Sequence, residues 1–181
     1  MRKIVAGLFI SLDGVVESPE KWHFPYFNDE MGQSVGALIQ SSDVMLLGRQ
    51  TYLEFAAHWP NQDPATDPLV DVMNNKPKYV ATTTLETADW QNTTLLKGDL
   101  ADELDTLKRQ PGKDIGITGS PTLVTSLLRD GLLDELHLLV HPIVIGSGKR
   151  LFDGAYGQIP LKLTTSKTFS TGVLNLTYER A

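Results

Sequence analysis

Four apolar runs divide the first two thirds of the chain, and each stops at a turn rich in glycine or hydroxyl residues. Val, Ile and Leu follow one another in these runs without strict polar alternation. That pattern predicts strands buried on both faces, as in a parallel sheet. The runs are KIVAGLFI (3–10), DVMLLG (43–48), KYVATTT (78–84) and DIGITG (114–119).

Segments with apolar residues at helical spacing lie between these runs. They are NDEMGQSVGALIQSS (28–42), TYLEFAAH (51–58), DLADELDTLKRQPG (99–112) and SPTLVTSLLRDG (120–131). In the last segment Ser120 is a predicted N-cap, Pro121 the first helical residue, and Gly131 follows the end. Alternating strands and helices predict an α/β fold with right-handed crossovers. The polar, proline-rich stretch at 58–68 is a predicted surface loop.

The pattern changes in the last third of the chain. DELHLLVHPIVIG (134–146) predicts a long strand interrupted at Pro142. LKLTTSKTFSTGVLNLTYER (161–180) predicts a hairpin turning at 170–172, with Leu174, Leu176 and Tyr178 on one face of its second arm. We therefore predict a single domain, residues 1–181, with a mainly parallel sheet flanked by helices and completed by an antiparallel hairpin.

Composition narrows the possible functions. The chain has 181 residues and no cysteine, which excludes disulfides, thiolate metal sites and a cysteine nucleophile, and it fits a cytoplasmic location. A net charge of −6 without a Lys/Arg cluster argues against nucleic acid as a partner. No segment approaches the roughly 20 apolar residues of a membrane span. His137 and His141 would lie roughly 13 Å apart on a strand, so we predict no metal site.

Four predicted strand ends carry residues suited to binding a ligand. Ligands of open α/β sheets bind beyond the carboxyl ends of the strands. Glycine lets the backbone approach a ligand, free N–H groups at a helix start attract phosphate, and Arg49 offers a bidentate charged contact. Together they predict a phosphorylated ligand of dinucleotide size. The four ends are residues 11–14, 48–51, 82–84 and 118–121.

Each of these features has a structural alternative. Turns of any parallel sheet need glycines and caps, Arg49 can pair with a surface carboxylate, and threonines are common in strands. No GxGxxG follows the first strand, so an ordinary Rossmann dehydrogenase is not predicted. The segment GSGKR (146–150) lacks the spacing of a phosphate loop and is a predicted turn.

Asp13 and a nearby aromatic cluster are candidates for contact with a substrate. Asp13 follows the first strand beside Gly14. It either anchors a substrate and relays a proton, or it bonds to its own turn. Trp22 and Phe27 belong to an aromatic cluster that either stacks on a flat substrate or fills the core.

Three segments, in this order, resemble the reductase domain of bifunctional riboflavin-biosynthesis proteins and its stand-alone relatives, which are dihydrofolate-reductase-like. They are SLDG (11–14), DVMLLGRQTYLEFAAHWP (43–60) and the long segment IGITGSP…GSGKRLF (115–152). The resemblance implies that fold, with NADPH as hydride donor.

The resemblance also implies roles for particular residues. Phosphate contacts are implied for Gly48, Arg49, Gln50 and Thr51, and for Thr118, Gly119, Ser120, Pro121 and Thr122. The adenosine would lie near Thr82, Thr83 and Thr84, and the nicotinamide near Ala6 and the end of the first strand. Relatives often carry a basic residue near 83–84 for the additional phosphate of NADPH, and this chain does not.

The expected function is therefore an NADPH-dependent reductase of a small nitrogen heterocycle, either a pyrimidine precursor of riboflavin or a pterin-like compound. Asp13 is the candidate proton donor. One alternative is a non-catalytic NADP(H)-binding or interaction protein of the same fold, and another is a flavodoxin-like electron carrier. A homodimer is expected because relatives often dimerise.

Overall fold

The computed structural model describes residues 1–154 and 157–181. Its strands are β1 (Ile4–Ser11), β2 (Ser42–Gly48), β3 (Lys78–Ala81), β4 (Thr93–Leu96), β5 (Asp114–Thr118), β6 (Glu135–His141), β7 (Leu161–Thr168) and β8 (Leu174–Arg180). They form a sheet in the order β4-β3-β2-β5-β1-β6-β8-β7. Pairing is parallel from β4 to β6 and antiparallel at β6–β8 and β8–β7. The predicted mainly parallel sheet with an antiparallel hairpin is confirmed.

Helices cover both faces of this sheet. They are α1 (Asp29–Ser41), α2 (Arg49–His58), α3 (Leu69–Asn75), α4 (Leu100–Arg109) and α5 (Pro121–Arg129). Successive side chains of β2 point to opposite faces, as strand geometry requires: Leu46 packs with α4 and α5, whereas Leu47 packs with α2 and α3. Met31 of α1 packs in a third cluster with Leu139.

Several short elements were not predicted, and some boundaries differ. The strand predicted over 78–84 ends at Ala81, and β4 and α3 are additional. A short 3₁₀ turn, Trp59–Asn61, interrupts the predicted loop at 58–68. β6 ends at His141, which confirms the predicted interruption at Pro142, because proline has no N–H to donate to a ladder. No strand follows at 143–146. The predicted alternation of β8 agrees with its register with β6: Leu176 lies beside the core residue Leu138, whereas Asn175 lies beside Leu139 of the third cluster. Burial does not alternate in the same way, since Leu174 is exposed and the residues at 175–179 are all half-buried.

Two general properties bear on function. In the described part of the chain, no helix is long and apolar enough to cross a membrane. Nor do those residues include a group of three or more His, Asp or Glu side chains placed to hold a metal ion.

Candidate active site

A cavity of about 1000 Å³ opens where the parallel strands end and continues between α1 and the sheet. We call one part the crossover half, formed by the starts of α2 and α5 and the loops before them. The other part, the sheet half, lies under α1 and is lined by Gly7, Phe9, Ser34, Val35, Leu38, His137, Leu139 and Asn175. The segment 16–20, which includes Glu17 and Glu20, borders the cavity.

Two hydrogen bonds hold the crossover half together. The Gly48 backbone N–H donates to Ser120 Oγ at 2.8 Å, and the Ser120 backbone N–H donates to Thr51 Oγ1 at 3.0 Å. A side chain at Gly48 would place its Cβ 3.3 Å from Ser120 Oγ, and one at Gly119, where φ is +75°, would lie 3.3 Å from Thr51 Cγ2. The two predicted turns therefore meet in one place, and the glycines permit their close approach.

Both helix starts in this half are open to an anion. Gly48 precedes α2 and Ser120, with φ of 57°, precedes α5; neither position supplies a side-chain cap. The first-turn N–H groups therefore keep the capacity to bind a negative group, which the helix dipole favours.

Two cationic side chains line the same region. Arg49 is exposed, and no group in residues 1–154 or 157–181 forms an ion pair or hydrogen bond with its guanidinium. Lys149 Nζ contacts Thr122 Oγ1. The segment GSGKR bends at Ser147 and Gly148, and the prediction missed that its lysine reaches the cavity.

The sheet half combines an apolar shelf with polar side chains. Phe9 of β1, Leu139 of β6 and Asn175 of β8 lie in one row across three paired strands. The Asn175 amide N–H donates to Ser34 Oγ on α1 at 2.8 Å. His137 bonds through Nε2 to Glu135 at 3.0 Å and through Nδ1 to Thr177 at 3.1 Å. The prediction did not include the three polar residues that line this half, Ser34, His137 and Asn175, because strand pairing and helix packing bring them together.

Nine predicted cofactor residues line the cavity, and four do not. The nine are Gly48, Arg49, Gln50, Thr51, Thr118, Gly119, Ser120, Pro121 and Thr122. Thr82 is buried and its hydroxyl accepts from the Thr84 and Leu85 backbone N–H groups, which is a turn-forming role. Thr83 and Thr84 are exposed, and Ala6 is fully buried in the core. Ala81, Gly7, Leu8 and Phe9 line the cavity in their place.

Asp13 lies outside the residues that line the cavity. Its carboxylate accepts from Ser11 Oγ at 2.6 Å and from the backbone N–H groups of Ile145 and Gly146 at 3.0 and 2.9 Å. The hydroxyl hydrogen bond and these two N–H bonds hold the pKa of Asp13 far below its ordinary value. These partners and its place outside the cavity lining give Asp13 a turn-forming role, and they do not support the proton donor or substrate contact predicted for it.

Trp22 and Phe27 also lie outside the lining and belong to an aromatic cluster around His141. Trp22 is buried, donates from Nε1 to Glu17 O at 3.1 Å, and meets the His141 ring edge-on at 5.1 Å. Phe27 is half-exposed and meets His23 edge-on at 6.0 Å. His23 in turn stacks on Phe9 at 4.5 Å. Core filling therefore accounts for Trp22, and Phe27 packs at the margin of the same cluster.

The sheet order, the antiparallel edge and the placement of the cavity define a dihydrofolate-reductase-like α/β protein. Comparison with known families is consistent with this class: the RibD C-terminal domain family matches residues 2–175. The chain belongs to this family, which confirms the resemblance seen in its sequence.

Individual relatives and solved structures agree with the assignment. The uncharacterized protein YyaP of Bacillus subtilis (strain 168) is 33% identical over 98% of this chain and 94% of its own length. A putative riboflavin biosynthesis protein from Shewanella sp. PV-4 has a TM-score of 0.80 at 21% identity, covering 99% of both chains.

More distant structures share the fold. A diaminohydroxyphosphoribosylaminopyrimidine deaminase/5-amino-6-(5-phosphoribosylamino)uracil reductase from Thermotoga maritima has a TM-score of 0.70 at 14% identity, over 99% of this chain and 57% of that one. Dihydrofolate reductase from Enterococcus faecalis, complexed with NADP(H), has a TM-score of 0.64 at 14% identity, over 98% of this chain and 96% of that one.

Proposed function

We propose that this protein is an NADPH-dependent reductase of a small nitrogen heterocycle, either a pyrimidine riboflavin precursor or a pterin-like compound. The observation that carries the proposal is a continuous cavity whose crossover half suits a dinucleotide and whose sheet half suits a flat ring. The pyrimidine reductase and the NADP(H)-bound dihydrofolate reductase with this fold support the same chemistry.

The crossover half fits the charge and shape of a dinucleotide. Its two uncapped helix starts supply N–H donors for phosphate oxygens, and Gly48 and Gly119 let the two turns approach closely, so that both starts line one cavity. Arg49 and Lys149 supply positive charge. These two cations are the basis for proposing NADPH rather than NADH, since a third phosphate adds negative charge that they would offset.

The chain itself would bind and orient the reactants. The bound cofactor would supply the hydride. The crossover half would fix the cofactor's phosphates, and the shelf of Phe9 and Leu139 would support the ring that accepts the hydride; this positioning is the protein's main contribution to rate. Water, or a group other than Asp13, would deliver the proton.

Titration with NADPH and NADH, followed by NADPH oxidation with a panel of pyrimidines and pterins, tests the proposal. Binding with turnover of at least one ring compound is expected. Binding without turnover across a broad panel would favour a non-catalytic NADP(H)-binding protein. No binding of either dinucleotide would overturn the proposal. Dimerisation and a cytoplasmic location stay predictions, to be tested by solution mass measurement and cell fractionation.

Replacement of one cation sharpens this test. Arg49→Ala should raise the dissociation constant for NADPH about tenfold and change turnover less, because a hydrogen bond to a charged group contributes about 1.5–3 kcal/mol. Arg109→Ala is the matched control: that exposed arginine pairs with Asp105 at the far end of α4. Unchanged NADPH affinity in Arg49→Ala would remove Arg49 from the site.

A further inference from the structure

The polar pair formed by Ser34 and Asn175 has unused hydrogen-bonding capacity in the sheet half of the cavity. Both residues are half-buried and line the cavity. The Asn175 amide N–H donates to Ser34 Oγ, so the serine oxygen acts as acceptor and its hydroxyl hydrogen remains available. Neither side chain forms another hydrogen bond with a described residue. Asn175 Oδ1 is not buried without a partner, so it is accessible to a ligand.

The pair therefore presents one donor and one acceptor side by side. The donor is the Ser34 hydroxyl hydrogen, and the acceptor is Asn175 Oδ1. A ligand edge that satisfies both must carry an acceptor next to a donor. A ring lactam, with its C=O beside an N–H, has this arrangement.

The pair lies among uncharged side chains of α1 and the sheet. α1 contributes Val35 and Leu38 to the lining, and the sheet contributes Gly7, Phe9 and Leu139, none of which carries charge. His137 also lines this half, but both of its ring nitrogens already have partners. Glu17 and Glu20 stand on the bordering segment, and the Glu17 carboxylate accepts from the Lys149 backbone N–H at 2.8 Å.

Gly7 lets α1 pack directly on β1. A Cβ at Gly7 would lie 2.3 Å from Leu38 Cδ2, so the Leu38 side chain covers this glycine. A ring held by the pair would therefore contact the apolar shelf of Phe9 and Leu139 rather than Gly7.

We infer that Ser34 and Asn175 select a substrate by the lactam edge of an uncharged heterocycle: the Ser34 hydroxyl donates to the ring carbonyl, and Asn175 Oδ1 accepts from the adjacent ring N–H. This inference rests on the proposed function for the identity of the site, and it specifies the substrate class. It also implies that a ring presenting acceptors only at this edge, such as a 4-alkoxypyrimidine, binds poorly.

The test compares two ring probes by ligand-observed NMR titration: a 4-oxopyrimidine lactam and its 4-methoxy analogue, which lacks the ring N–H. Wild-type protein should bind the lactam about tenfold more tightly than the methoxy analogue. Equal affinity for the two probes, or no lactam binding at millimolar concentration, would overturn the inference.

Variants assign the selectivity to the pair. Ser34→Ala and Asn175→Leu should each weaken lactam binding about threefold to tenfold and leave the methoxy analogue within about twofold. Ser34→Thr keeps the hydroxyl and should retain the preference. Gln33→Ala, at an exposed neighbouring position of α1, is the control. Selectivity that persists in both Ser34→Ala and Asn175→Leu would contradict the assignment.

Separate NADPH titrations distinguish the two proposals. Lactam selectivity that depends on Ser34 without any NADPH binding would uphold this inference and overturn the reductase proposal. NADPH binding with no probe selectivity would support the reductase proposal and overturn this inference. Thermal melts of each variant establish that it is folded before its affinity is compared.

Discussion

Positively charged side chains have opposite surroundings at the two ends of the parallel strands. At the edge where the parallel strands begin, Lys78 is fully buried, and its Nζ donates to the carbonyls of Asn74, Lys76 and Gln91 at 2.8, 2.8 and 3.1 Å. At the edge where they end, Arg49 is exposed and meets no partner in the described part of the chain.

The difference separates stability from binding. Burial lowers the pKa of Lys78 to about 8, yet each ammonium hydrogen meets a carbonyl, and the centroid of the Trp90 ring lies 4.1 Å from Nζ. Lys78 is buried with every donor satisfied, so it stabilises the fold and is not accessible to a ligand. Arg49 has no partner among the residues that the structure describes and lies beside two uncapped helix starts, so it is available to a ligand.

Removing Lys78 is expected to have the largest effect. Lys78→Ala should lower the free energy of unfolding by about 3–5 kcal/mol, because three carbonyls lose their donor and a cavity forms. Urea denaturation measures this loss. NADPH affinity of the folded fraction should stay within about twofold of wild type. The exposed Lys97→Ala should cost less than about 0.5 kcal/mol. If Lys78→Ala lowers the free energy of unfolding by less than about 1 kcal/mol, other groups stabilise this end of the sheet.

Low pH should destabilise the fold through two buried histidines, His23 and His141. Burial lowers the pKa of both His23 and His141, and one nitrogen of each ring has no partner. In the unfolded chain these groups titrate near pH 6.5. Below that pH the unfolded state binds protons that the folded state does not, so stability is full above it and falls as pH decreases.

The free energy of unfolding should therefore drop by about 1–2 kcal/mol between about pH 7.5 and pH 5.5. His23→Phe should remove about half of this slope, because a phenyl ring can stack on Phe9 without titrating. His58→Phe changes an exposed histidine and should keep the slope. An unchanged slope in His23→Phe would exclude His23 as a source of the pH dependence.

The smallest effect is expected at the joint between the two crossovers. Ser120→Gly loses the acceptor for the Gly48 N–H but relieves a left-handed residue, so the two changes should cancel to within about 0.5 kcal/mol. Ser120→Ala loses the acceptor and keeps the strain. It should be about 1 kcal/mol less stable than Ser120→Gly in urea denaturation, and equal stability would show that strain at Ser120 is negligible.

The crossover half was predictable because its chemistry is local in sequence. A buried run followed by a glycine and a helix start indicates a turn that can receive an anion, and Gly48 and Gly119 carry that signal. β4 and α3 gave weak signals, since four and seven residues are too short for a periodic pattern to stand out. Asp13 was misassigned because its partners Ile145 and Gly146 lie more than a hundred residues away.

The sheet half was not predictable from local pattern. Ser34 faces Asn175 only because β8 inserts between β6 and β7 while α1 crosses the same face. Lys149 likewise reaches Thr122 from a turn whose own sequence suggested no ligand contact. Both contacts depend on how distant segments pair, and the periodicity within a single element does not predict such pairing.

Ser120 accepts from Gly48 and donates to Thr51, so the loop before α5 and the crossover from β2 to α2 form one rigid unit. Lengthening either loop would displace both, and tolerance to insertions should be lowest there. Side chains beneath α1 have no part in that unit. A new ring specificity could therefore arise by substitutions there, while the spacing between the two helix starts stays as it is.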